Sequence, residues 1–142
     1  MRKLILASLA EARKSGVQPT VVMGYCFGGA ATLELARSNK ASSIKGYATF
    51  HGGLKTPEGQ QYAASTPPIL VAHGGADTSI TMDHVAGLSR ELESAKVPYE
   101  IQVYSGAPHA FTVFGSNRYR ETADMQSWGA FTDFLTTNLG GS

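Results

Sequence analysis

Thr20-Val21-Val22-Met23-Gly24-Tyr25-Cys26-Phe27-Gly28-Gly29 is a β-branched apolar run that stops at a glycine, passes through one cysteine and meets two more glycines. The run from Thr20 to Met23 predicts a strand buried on both faces. The alanine- and leucine-rich stretch from Gly28 to Asn39 predicts a helix packed deep against a sheet. Gly-x-Cys-x-Gly between the two has the spacing of a nucleophile elbow with cysteine in the serine position. In such a turn the central residue takes a strained backbone conformation, and the positions two before and two after it must be small, a need that Gly24 and Gly28 meet. The turn sets the sulfur at a helix N-terminus, whose partial positive charge favours thiolate, and leaves the Phe27 N–H to face an oxyanion. A free cysteine is more often a small buried hydrophobe, but the order of strand, elbow and helix selects the nucleophile here.

Working outward, Leu4, Ile5, Leu9 and Ala12 recur at helical spacing, with Gly16 and Pro19 as a stop. Downstream, strands are expected over Ile44 to Phe50, Ile69 to Ala72 and Tyr99 to Tyr104. The segment from His51 to Thr66 reads as a loop with at most a short helix. Val85, Leu88, Leu92 and Ala95 predict one helix. Met125, Trp128, Phe131, Leu135 and Leu139 predict the apolar side of the last. Strands alternating with helices across long connections imply parallel pairing, hence a three-layer α/β sandwich on a mainly parallel sheet of about four strands.

Two further residues join Cys26. Asp77 follows the third expected strand through His73-Gly74-Gly75-Ala76, and His109 follows the fourth in Gly106-Ala107-Pro108-His109-Ala110-Phe111. Each alone has an ordinary reading, a turn aspartate and a solvated loop histidine. Together they give the chain order nucleophile, acid, histidine, each just past a parallel strand, where carboxyl ends converge on one crevice. Cys26 is thus the expected nucleophile, His109 its general base and Asp77 the group that orients the histidine. His51, in Phe50-His51-Gly52-Gly53, looks like a lipase oxyanion motif but follows the nucleophile, so it reads as a pocket wall, with Tyr25 and Phe111 also near the triad. His73 reads as packed at a strand end and His84 as facing solvent. No pair of histidines has zinc-site spacing, so no metal is expected. Arg118 and Arg120 are either solvated or positioned to meet an anionic substrate.

The chain's 142 residues suffice for one domain with a core and no covalent staple. A formal charge of +1 without a basic run argues against nucleic acid. No apolar stretch reaches the ~20 residues that cross a bilayer, and Glu11 and Arg13 interrupt the first apolar stretch, so neither a membrane span nor a signal peptide is expected. A single cysteine suits a reducing compartment, the cytoplasm.

Gly24-Tyr25-Cys26-Phe27-Gly28-Gly29, Phe50-His51-Gly52-Gly53-Leu54, His73-Gly74-Gly75-Ala76-Asp77 and His109-Ala110-Phe111 together resemble the dienelactone hydrolase family of α/β hydrolases. The resemblance runs from the first helix to the last and implies hydrolysis of small carboxylic esters or lactones through a thiol acyl-enzyme, with no cofactor. It carries over Cys26, Asp77 and His109 as the triad. Members of the family have a further half before the first helix, with early strands and a second oxyanion donor. The chain therefore resembles only the C-terminal half, and residues 1–142 are expected to form one minimal α/β-hydrolase domain. In the parent fold the nucleophile strand is interior, so an edge is expected along Thr20 to Met23, covered in a homodimer. Two other readings stay open: a noncatalytic binding or interaction module on the same fold, and, less favoured without a resolving cysteine, a redox-sensing thiol.

Overall fold

A computed structural model describes residues 1–18 and 20–140. Pro19, half of the expected stop of the first helix, lies outside the described residues. The elements alternate as expected: α1 (Arg2–Lys14), β1 (Val21–Tyr25), α2 (Phe27–Ser38), β2 (Gly46–Phe50), β3 (Ile69–Gly74), α3 (Met82–Ala95), β4 (Tyr99–Tyr104) and α4 (Glu121–Leu139). All three strand pairings are parallel, in the order β1-β2-β3-β4. The central strands β2 and β3 are buried along their whole length. Two apolar clusters lie on opposite faces of the sheet. One holds Leu9, Leu33, Leu35, Val71, Leu88 and Leu92 among others, and the second is centred on Phe50, Leu70, Phe111, Phe131 and Phe134.

Among the described residues β1, the strand that leads to Cys26, lies at the edge of the sheet, with Val21, Val22 and Met23 only partly buried. The segment after β2 has neither helix nor strand up to Thr66. It is fastened to α2 by polar contacts: Arg37 Nε donates to Gln60 Oε1 at 2.8 Å and Arg37 Nη1 to Tyr62 Oη at 3.0 Å. Glu34 accepts from Arg37 at 3.0 Å and from Arg2 of α1 at 2.8 Å. A helix read as apolar on most sides therefore carries a buried, fully engaged ion pair, Glu34 with Arg37.

Two sequence expectations change. The buried face of α4 runs through Ala123, Ser127, Phe131 and Phe134, whereas Met125 and Trp128 are exposed and Leu139 is partly so. Phe134 fits where β2 begins with Gly46, at which any β-carbon would meet its ring at 2.7 Å. That fit sets the rotation of the helix and turns the expected stripe partly outward. The second change concerns the elbow. A β-carbon at Gly24 would run into the backbone carbonyl of Gly28, and one at Gly29 would meet Thr49 Oγ1 and, at 3.1 Å, Gly52 Cα. Nothing lies within 4 Å of a β-carbon at Gly28. Smallness is thus required at Gly24 and Gly29, where α2 crosses the ends of β1 and β2, and not at Gly28.

These two glycines should separate in a stability measurement. Gly24→Ala forces backbone against backbone and is expected to cost about 3 kcal/mol or more. Gly28→Ala has room and a better helix former, and is expected to hold or raise stability by up to about 1 kcal/mol. Urea denaturation of the two variants checks both.

Candidate active site

Each strand end delivers one polar side chain. Cys26 follows β1 with φ 50° and ψ −120°, a sparsely populated conformation for a residue with a β-carbon. His51 follows β2, also at positive φ (39°). Because Tyr25 pairs with Phe50, the next residues, Cys26 and His51, come out side by side. Both stay tied to the sheet: Cys26 N–H donates to Phe50 O at 3.0 Å, and His51 N–H to Ala72 O at 2.9 Å. Asp77 stands beyond β3 and His109 beyond β4, with the turn before His109 held by the Ala76 N–H bond to Ala107 O at 3.0 Å.

The structure brings Asp77 and His109 together, with His109 Nδ1 at 2.8 Å from Asp77 Oδ2. The other carboxylate oxygen accepts the N–H groups of Ser79 and Ile80 at 2.9 and 2.8 Å. Burial by itself raises the Asp77 carboxyl, but the Ile80 N–H, His109 and the Ser79 N–H outweigh it and hold the group below its usual range. It is an anion with every oxygen engaged.

Cys26 Sγ lies 3.1 Å from Nδ1 of His51, the residue read from sequence as a pocket wall. His51 Nε2 lies 2.8 Å from Thr112 Oγ1. Burial pushes the His51 ring down to about 4, helped by the proximity of His109, so the ring is neutral at pH 7. A neutral ring with Nε2–H donated to Thr112 leaves Nδ1 as acceptor for the Cys26 thiol proton. His109 is also close: one donor atom each from Cys26, His51 and His109 lie within 4.8 Å of one another. The two imidazoles meet edge to face, with centroids 5.6 Å apart.

The resting thiol differs from the sequence expectation. Burial pushes the Cys26 thiol up, the Asp77 carboxylate adds to that, and Arg118 offsets part of it. These effects favour the protonated thiol at neutral pH. Phe27, as the first residue of α2, has no intrahelical acceptor for its N–H, while the Gly29 and Ala30 N–H groups bond to Cys26 O. The Phe27 side chain is exposed. Tyr25 is partly exposed and stacks on Phe50, whereas Phe111 is wholly buried and packs against His51 as its support. His73 is buried as expected, but His84 is half-buried and accepts the Thr81 N–H at the start of α3. Arg118 and Arg120 are exposed.

Sequence reading missed Thr112 and the direct contact of His51 with the thiol. The contact depends on the register of β1 against β2, which composition does not carry. The one available signal was that both residues immediately follow expected strands.

The sequence model of the dienelactone hydrolase family matches residues 2–139. A Salmonella typhimurium protein provisionally named a carboxymethylenebutenolidase is 29% identical over 129 residues, covering 87% of this chain and 48% of its own length. A Saccharolobus solfataricus protein with the same provisional name is 33% identical over 124 residues, covering 84% of this chain and 45% of its own. The chain thus spans about half the length of the curated relatives it matches. Among solved structures, a dienelactone hydrolase-like promiscuous phosphotriesterase from metagenomic libraries superposes with a TM-score of 0.72 at 30% identity, over 83% of this chain and 52% of that one.

The depressed His51 ring has a consequence for stability. Between its ordinary value of 6.5 and about 4, the unfolded chain binds a proton that the folded one refuses. Stability should therefore fall as pH drops through that window, by about 3 kcal/mol from this group alone. Burial pushes His73 in the same direction, so the His51 share is isolated by His51→Gln, which should flatten the stability profile between pH 6.5 and 4 in urea titrations.

Proposed function

The chain belongs to the dienelactone hydrolase family, and from that premise we propose that it hydrolyses small carboxylic esters or lactones, with Cys26 as nucleophile, His109 as general base and Asp77 as the residue that orients the base. The observation that carries the reading is the 2.8 Å bond from His109 Nδ1 to a carboxylate whose two oxygens are both held in place. A histidine so paired keeps Nε2 free for the thiol proton, and its imidazolium is stabilised as it forms.

His51 is nearer the sulfur, and this proximity favours a second assignment of the base. Its environment opposes it. The ring is held near 4 by burial, which outweighs the attraction of the Asp77 carboxylate, and its far nitrogen meets a hydroxyl and not a carboxylate. In the proposed cycle His51 accepts the S–H bond of the resting thiol. Rotation of the Cys26 side chain then carries the proton to His109. The thiolate adds to the ester carbonyl, the oxyanion is met by the Phe27 N–H, and the alcohol leaves with the proton from His109. Water, deprotonated by His109, then adds to the thioester, and its collapse frees the acid and restores the thiol.

Tyr25 and Phe27, both exposed beside the elbow, would line the acyl-binding surface. The partner reading is a homodimer that covers the outer edge of β1.

Hydrolysis of a short-chain nitrophenyl ester tests the assignment. Cys26→Ala and His109→Ala should each lower kcat/KM by at least about 10²-fold. His51→Gln should retain most of kcat, and the rate should climb into the alkaline range as the raised thiol ionises. Binding without turnover in the parent would instead favour the interaction module. Light scattering of the dilute protein should give a dimer mass, and a monomer would remove the edge-pairing proposal.

A further inference from the structure

No sequence spacing here resembles a zinc motif, because the relevant residues lie 25 and 58 positions apart and meet only through the parallel register. We propose that Cys26, His51 and His109 form a three-ligand site for a borderline-soft divalent cation of the zinc class. The inference rests on this geometry alone and stands whether or not the chain hydrolyses esters.

Three features support it. The donor set, one thiol sulfur and two imidazole nitrogens, is of the type that zinc takes with a fourth position left open. The donor atoms are already gathered. Zinc–sulfur and zinc–nitrogen bonds of about 2.3 and 2.05 Å at tetrahedral angles need sulfur and nitrogen about 3.5 Å apart. Cys26 Sγ and His51 Nδ1 stand at 3.1 Å, and all three donors fall within 4.8 Å. A change of a few tenths of an ångström at the Cys26–His51 pair, and of at most about 1.5 Å in the other separations, completes the arrangement.

The third feature lies behind the ligands. Imidazoles that bind metals usually give their other ring nitrogen to an oxygen, which fixes the tautomer and the ring's aim. Both histidines do so here. His109 Nδ1 is held by Asp77 Oδ2 at 2.8 Å, which leaves Nε2 as its donor. His51 Nε2 is held by Thr112 Oγ1 at 2.8 Å, which leaves Nδ1, the nitrogen that faces the sulfur. Cys26 and His51 are also fixed from the backbone by their bonds to Phe50 O and Ala72 O.

Coordination forms a metal–sulfur bond and releases the thiol proton to solvent, while both imidazoles bind as neutral ligands. The bound cation occupies the sulfur lone pair, so the thiol cannot attack a carbonyl until the metal is withdrawn. Metal occupancy is thus a reversible cap on Cys26.

The test uses the reduced protein with Zn2+ alone in titration calorimetry and Co2+ alone as an absorbing substitute. One Zn2+ per chain is expected, together with a thiolate-to-cobalt charge-transfer band in the near ultraviolet. Cys26→Ser should abolish that band, Asp77→Asn should weaken Zn2+ binding by about 10- to 100-fold, and His84→Gln should leave it unchanged. Zn2+ binding that survives Cys26→Ser, a Co2+ complex of the parent without the thiolate band, or no stoichiometric binding would each overturn the proposal. The parent's Co2+ spectrum decides it even if a variant fails to fold.

Discussion

The close crossing of α2 over the ends of β1 and β2 is the constraint on which the site depends. Gly24 admits the Gly28 carbonyl and Gly29 lies against Gly52, so helix and sheet meet with backbone on backbone. A chain that reverses so tightly has no ordinary conformation for the residue at its apex, and Cys26 takes φ 50°. That placement costs on the order of 1–3 kcal/mol, and the packing on either side leaves no way to relax it. The strain holds the sulfur clear of the core, at the level where the next strand releases His51 and the loop beyond β4 releases His109.

Charge is distributed unevenly over this cluster. Asp77 is anionic and saturated with donors, His51 is neutral by burial, and the thiol is neutral by burial and by the carboxylate nearby. The two histidines are alike in sequence and opposite in supporting chemistry. One is backed by a carboxylate, the arrangement that its proposed role as base draws on. The other is backed by a hydroxyl and by Phe111, and is suited to remaining uncharged while it accepts a weak bond from sulfur.

The strand and helix order was legible because β-branched runs and helical spacing are local properties, and the described strands and helices occur where those signals lie. The gathering of Asp77 with His109 was also legible, since parallel strands converge at their carboxyl ends. What was hidden depends on packing between elements. The contact of Cys26 with His51 needs the register of β1 and β2, the buried face of α4 needs the fit of Phe134 over Gly46, and the need for a glycine at position 29 needs the path of Gly52. The charge state of the thiol was misjudged for a related reason. A helix N-terminus can be read from sequence, whereas burial of the sulfur and the distance to Asp77 cannot.

The strand order repeats the chain order without a jump, β1 to β4. Among the described residues each strand therefore pairs with the next one to be synthesised, and none is inserted later between two partners. Each parallel pairing nonetheless waits on a long crossover, as between Val21 and Gly46 or Ile69 and Tyr99, and non-local pairing of this kind slows folding. During synthesis each strand and its helix can dock on the unit already made, so the elbow with Cys26 precedes β2 and β3 and the loop bearing His109 follows β4. Cys26, His51 and His109 therefore come together only after all the described strands have been made.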